Sequence, residues 1–340
     1  MNLDEFTAEI MGRIKVFLPE EYQDAVIEVN DLNKLNSNYK AMTVRKEGQL
    51  VAPTIDMDAL FRAYEDGEDL NSLASQAAAV ALMQPEGLDC SQFLDYEKVK
   101  ERLFIRVSNA ELNSGVVGYA PHKQVEDLVI TYHILASLGE DGMGSAMVTN
   151  SLLENFGVSQ EQLHADAMVN SEKLLPPSIQ GMEKTMGRLM GMNMEMDVPK
   201  TFAGQLEDVD FKTDMMLVLS NTQNVNGAAV MFYPDVLAQI GDRMQTNFFI
   251  LPSSVHEVIL VANDGSRSYK EFEAMVREIN SNEVSPKDKL SDNVYHYDFQ
   301  NRLLEKASDY ENRKDLEEHS KSGDDDKPKA KHKKEKDWER

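Results

Sequence analysis

Apolar residues recur at helical spacing from the start of the chain. Phe6, Ile10, Ile14 and Phe17 share one face of a predicted helix over 4–17, which Leu18-Pro19 stops. Two extended runs, 25–32 and 39–46, flank the polar stretch NKLNSN and predict a hairpin with a long loop. After Pro53 the pattern gives two helices broken at Gly67, the second rich in alanine over 74–81 and so able to pack closely. A third helix is predicted over 93–103 and runs into a strand, LFIRVSN. The segment EDLVITYHILAS, 126–137, carries the β-branched and aromatic composition of a central strand. Beyond the loop GEDGMG lies a helical pair, SLLENFG and SQEQLHADAMVNSEKLL. Gly157 closes the first, Ser159 with Gln162 caps the second, and Pro176-Pro177 ends it.

Apolar spacing fails over 191–210, which predicts a connection between two lobes. Past it, strands are predicted at 215–220 and 228–233, joined through a loop ending in Asn226-Gly227. Pro234 then opens the helix DVLAQIGDRM, where a missing N–H costs little. Strands at 248–251 and 255–261, a helix at 269–279 and a short strand at 294–297 complete the pattern. The order implies an α+β fold of mixed or antiparallel sheets with packed helices. It divides into an N-terminal lobe (1–190), a connecting segment (191–210) and a C-terminal lobe (211–304). From 305 to 340 apolar residues nearly vanish, too few to offset the entropy of ordering, so a disordered charged tail is expected.

Composition adds bounds. A chain of 340 residues, 41% apolar, is long enough to bury roughly 70–75% of its unfolded surface without staples. The single cysteine, Cys90, cannot form an internal disulfide, which fits a reducing compartment and predicts a cytoplasmic protein. Neither the start, MNLDEFTAEI, nor runs as short as FFIL and VILVA suit export or membrane insertion. The formal net charge is −24. Residues 305–340 hold 12 acidic and 11 basic side chains, which leaves the body, 1–304, with 47 acidic against 24 basic. A body this negative repels phosphate backbones and is not expected to bind nucleic acid. The segment KPKAKHKKEK, 327–336, gathers six lysines and suits a weak contact with nucleic acid or with the acidic body itself. Solvation is the plainer role.

The densest collection of reactive side chains is the polar knot LPSSVHE between two apolar runs. Ser253, Ser254, His256 and Glu257 there supply the residue types of a nucleophile, a base and an acid. If 255–261 is a strand, Ser254 and His256 share a face while Glu257 lies on the other, so this glutamate cannot orient the imidazole. A distant Asp could replace it, but no Gly-x-Ser-x-Gly elbow is present. The knot therefore reads as a structural turn, and otherwise as a binding site for a peptide or small ligand, or a hydrolase centre. His122, in APHKQ, and His133 could line a cleft with His256. No metal-ligand spacing appears, and a hydrogen-bonded structural role suits these histidines better. Glycines in GEDGMG and NDG match no phosphate loop, and no cofactor is expected. Met182, Met186 and Met190 fall at helical spacing, and Met192, Met194 and Met196 alternate after them. Such a stripe fills a core or linker, or serves as an adaptable surface for partner helices; cuprous binding would need converging ligands.

Seven segments in this order carry a resemblance: LPEEYQDAVIEV, the APTI run, APHKQVEDLVITYHIL, VTNSLLENFGVSQEQL, NGAAVMFYPDVL, ILPSSVHEVILV and LSDNVYHYD. Over roughly residues 18–300 the chain resembles an uncharacterised bacterial family, the domain of unknown function numbered fifty-six eighty-eight, whose members look like proteins of mobile elements and commensal genomes. The resemblance implies an α+β fold and carries no reaction, cofactor or catalytic residue. Residues and resemblance together lead to a non-catalytic interaction or accessory protein with a protein partner. The alternative is a hydrolase or small-ligand-binding protein with a site near Ser254 and His256.

Overall fold

A computed structural model of the chain describes residues 1–47, 52–83, 93–139, 142–191, 200–211, 213–252 and 254–322. Ser253, Cys90, the Met192–Met194–Met196 alternation, the lysines of 327–336 and Trp338 lie outside the described residues.

The first unit contains α1 (Leu3–Ile14), strands β1 (Val26–Lys34), β2 (Ser37–Arg45) and β3 (Thr54–Asp56), and helices α2 (Met57–Glu65) and α3 (Leu70–Leu82). Asn2 and Glu5 close a reciprocal capping box at the start of α1. The strands form an antiparallel sheet, β1-β2-β3, whose Met42, Val44 and Ile55 face Phe6, Ile10 and Ile14 of α1 and the alanines of α3 in one apolar cluster. The hairpin turn is tighter than the expected long loop. Lys34 pairs with Ser37, so only Leu35 and Asn36 turn the chain, with Asn36 in the left-handed region at φ 58°.

The chain continues through α4 (Tyr96–Val99), β4 (Leu103–Asn109), α5 (Ser114–Val117), β5 (His122–Val125), β6 (Leu128–Gly139) and β7 (Gly142–Met147). The helix expected over 93–103 shrinks to α4 and one 3-10 turn. As its composition suggests, β6 is central: β4 pairs along one edge, and β5 and β7 pair with it in succession along the other. Helices α6 (Asn150–Phe156) and α7 (Gln160–Leu174) follow, with Gly157 left-handed at the end of the first and Ser159 capping the second through the Gln162 amide.

A six-stranded antiparallel sheet is built from β8 (Pro177–Gly181), β9 (Leu217–Asn221), β10 (Phe248–Leu251), β11 (Val258–Ala262), β12 (Tyr295–Asp298) and β13 (Leu303–Lys306), in the order β13-β12-β10-β11-β9-β8. Between its strands run α8 (Met182–Leu189), α9 (Phe202–Asp208), α10 (Val236–Met244) and α11 (Tyr269–Asn282), and α12 (Ala307–Ser322) follows β13. Three expectations change here. The strand predicted at 228–233 is a 3-10 helix, Gly227–Phe232, because Asn226 turns left-handed and the Ala228 amide bonds the Val255 carbonyl rather than a ladder partner. Order continues past residue 305, through β13 and α12. The expected lobe boundary at 191–210 is also bridged: β8, before it, pairs with β9, after it, and Leu206 of α9 joins an apolar cluster running from Tyr96 to Tyr297. The packing divides earlier, between Leu82 and Tyr96, since the first cluster holds only residues of the first unit. The fold is α+β with antiparallel sheets, and among the described residues no helix is long and apolar enough to cross a membrane.

Candidate functional site

The polar knot closes upon itself. Ser254 Oγ donates to Glu257 Oε1 at 3.0 Å and accepts the His256 amide at 3.0 Å, while the Ser254 amide donates to the Glu257 carbonyl at 3.3 Å. These bonds make 254–257 a turn, and β11 starts only at Val258. The alternation expected from a strand beginning at 255 therefore does not apply, and Glu257 reaches Ser254. The imidazole of His256 points elsewhere. Its Nδ1 accepts the Asn226 amide at 3.2 Å, which leaves Nε2 to carry the proton and donate to Asp288 Oδ1 at 3.3 Å. Asp288, 32 residues along the chain, is the distant Asp that orients this histidine, and its own carbonyl takes the Val255 amide at 2.7 Å. The His256 carbonyl accepts Ser220 Oγ at 2.7 Å. With the Ser254 proton directed at Glu257 and both ring nitrogens engaged, the arrangement fastens the turn to β9 and to the 3-10 helix. A nucleophile–base pair would require the Ser254 hydroxyl on the imidazole.

The other histidines lie in separate surroundings. His122 on β5 holds the Ala120 carbonyl through Nδ1 at 2.9 Å, and its own carbonyl accepts Gln160 Nε2 at 2.7 Å. His133 is buried in β6 against Phe104, with Nε2 3.0 Å from Thr131 Oγ1. Burial, reinforced by the Arg106 guanidinium, pushes its pKa well below the ordinary imidazole value. Among the described residues, no group of three His, Cys, Asp or Glu side chains is placed to hold a metal ion.

A cleft of about 490 Å³ opens instead where β8, β9 and β11 end. Met182, Met215, Met216, Phe211, Val261 and Phe272 give it an apolar floor, and Glu183, Asp214, Asp264 and Arg267 supply charge. The backbone holds the methionines: Gly181 pairs with Leu217 at the end of the β8–β9 ladder, and the Met182 amide then donates to the Met216 carbonyl at 2.9 Å as α8 begins. Gly181 lets the Asp214 carboxylate lie against the strand end: a Cβ there would sit 2.7 Å from Asp214 Oδ1 and push that side chain aside. Asp264 is held below the ordinary carboxylate range, first by the Ser266 hydroxyl and amide, with burial opposing. Three carboxylates against one guanidinium make the lining acidic.

Met215 of the lining is 79% exposed, and Met186 and Met190, one and two helical turns on from Met182, are 48% and 65% exposed. The Met182–Met186–Met190 stripe is therefore not core, as the filler reading expected, but surface continuous with the lining. Its spacing was visible in the sequence. The juxtaposition of Asp214 with Gly181, and of both with Asp264, arises from strand pairing and had no local mark.

No curated protein and no solved structure matches the chain. A family model covers residues 3–299, nearly the whole described body, and on that match the chain belongs to the Family of unknown function (DUF5688).

Proposed function

We propose that the protein is a non-catalytic binding protein of the bacterial cytoplasm, whose cleft takes a basic amphipathic segment of a partner protein. One observation carries this reading: a methionine-lined cleft with an acidic lining runs into solvent-exposed methionines on α8 and at Met215. Thioether side chains are unbranched and polarizable, so they remould around differing apolar faces, while carboxylates favour a lysine- or arginine-bearing partner and speed its approach. A volume of about 490 Å³ accommodates a few anchoring side chains. The acidity of the body as a whole supports the same sign of partner.

The test uses a labelled model helix with leucines on one face and lysines on the other, followed by fluorescence anisotropy, with a glutamate-bearing counterpart as control. The lysine helix is expected to bind in a salt-dependent way and the control not to bind. The double variant Met186→Ser/Met215→Ser should bind at least about tenfold more weakly at unchanged melting temperature, since both side chains are largely exposed. Equal binding of both helices, or undiminished binding by the variant, would refute the proposal. A small metabolite carried through purification and lost from a Met182→Ala variant would point to a ligand instead.

A further inference from the structure

The second sheet has two unlike faces. Leu103, Ile105 and Val107 of β4, with Ile130, Tyr132 and Ile134 of β6, point into the main apolar cluster. The opposite face carries the alternate residues. Arg106 stands across from Thr131, which stands across from His122, with Ser108 opposite Val129 and Phe104 opposite His133. In a row of strands this places a guanidinium, hydroxyls and imidazoles on one face, where Ser108, Thr131 and His133 are buried and Arg106 and His122 are partly exposed.

Arg106 has no hydrogen-bond or ion-pair partner among the described residues, and its Nε is buried without one. The side chain as a whole is half-buried, so the terminal nitrogens keep contact with solvent. Two residues along the same face, Ser108 Oγ is also buried and unpartnered. Arg13, Arg45, Arg277 and Arg313 each face a carboxylate, whereas Arg62 and Arg102, which pair with none among the described residues, are exposed to solvent. Burial without a compensating anion lowers the Arg106 pKa to about 10. An unpaired guanidinium beside an orphaned hydroxyl is costly to maintain for structure alone, since a buried unmade hydrogen bond to a charged group loses more than a neutral one.

We propose that this face of the second sheet binds a small oxyanion, a carboxylate or a phosphate monoester, on the Arg106 guanidinium with the Ser108 hydroxyl as second donor. The planar fork of Arg106 matches either group in two parallel hydrogen bonds. Thr131 and His133, both buried, already satisfy each other at 3.0 Å and leave Arg106 and Ser108 as the open donors of this face. The site is separate from the methionine cleft, shares no residue with its lining, and does not depend on what that cleft binds.

The full chain would be titrated with sodium phosphate and, in parallel, sodium acetate, each against sodium chloride at equal ionic strength. Readouts are the melting temperature and the backbone amide resonances of β4 and β6. At least one oxyanion is expected to raise the melting temperature above chloride and to move the Arg106, Ser108 and Thr131 amides saturably. Response to phosphate alone assigns a phosphate ligand, and response to acetate alone assigns a carboxylate. Arg106→Gln should weaken the response by about tenfold or more. Ser108→Ala, which removes one oxygen and leaves the packing in place, should weaken it less and guards against an unfolded first variant. A wild-type response no greater than chloride, or equal responses in wild type and both variants, would overturn the site.

Discussion

Asp127→Asn tests how the second and third sheets are joined. Asp127 ends the turn between β5 and β6, and its carboxylate reaches across to the segment leading into β12. Oδ2 accepts Ser291 Oγ at 2.6 Å and Asn293 Nδ2 at 2.9 Å, while Oδ1 accepts Tyr295 OH at 2.9 Å and faces Lys306 Nζ at 3.4 Å. Every partner is a donor. An asparagine keeps the shape but removes the charge and turns one oxygen into an NH2 group; a hydroxyl can turn to accept from it, but whichever way the amide lies an obligate donor, Asn293 Nδ2 or Lys306 Nζ, meets a donor. Hydrogen bonds to a charged group are each worth about 1.5–3 kcal/mol, and the partly exposed lysine contact adds under about 1 kcal/mol, so a loss of about 3–5 kcal/mol is expected at neutral pH. The pH dependence sharpens the test. Burial acts to raise the Asp127 pKa, but Ser291, Asn293, Tyr295 and Lys306 together outweigh it and hold the group below its ordinary 3.8. A depressed folded value means the stabilisation is full above the unfolded pKa and is lost as pH falls through the folded one. The gap between wild type and Asp127→Asn should therefore be widest at neutral pH and narrow below about pH 4. Chemical denaturation followed by far-UV circular dichroism, stepped from neutral to acid pH, measures it. A loss under about 1 kcal/mol, or one that does not change with pH, would show that the sheets are not held through this carboxylate.

Three further outcomes are expected. His256→Ala removes the acceptor for the Asn226 amide and the donor to Asp288, and should lower stability by about 1–3 kcal/mol in the same assay; an unchanged midpoint would contradict the fastening role. Gly227→Ala would drive a Cβ into Ser220 Oγ and into two backbone atoms that cannot yield, the His256 carbonyl oxygen and the Asn221 nitrogen, so the variant should fail to reach a native melting transition, and a wild-type melting temperature would refute the packing. Burial, with Arg313 and Lys314 assisting and Asp298 opposing, lowers the His296 pKa from 6.5 to about 4. Between these values only the unfolded chain takes up the proton, so the contribution is full above about pH 6.5 and fades as pH falls towards 4. His296→Gln should flatten that part of a melting-temperature profile, and an unaltered slope would exclude His296 as its source.

What could be read from the chain follows from where each element's stabilising contacts lie. The central strand β6 and the helix α7 are marked locally, one by β-branched and aromatic residues and the other by its serine cap and the proline pair after it, and both form as expected. The residues AAVMFY look equally strand-like, but Gly227 is pressed against Ser220 and the His256 carbonyl, so tertiary contact overrides composition and a 3-10 helix results. Helix α12 was hidden for the opposite reason, because apolar periodicity does not describe how it docks. Tyr310 stacks on His296 at 3.5 Å, Arg313 pairs with Glu305 at 2.6 Å and reaches Asp298 at 3.4 Å, and Ala307 supplies a fully buried apolar contact. The candidate sites divide in the same way. The methionine spacing was visible because α8 repeats it within a few residues, whereas the Asp288 that orients His256 and the Thr131 opposite Arg106 become neighbours only through loop return and strand register. Polar side chains that act at a distance in sequence leave no period, and they are the ones that decide here what binds and what merely fastens.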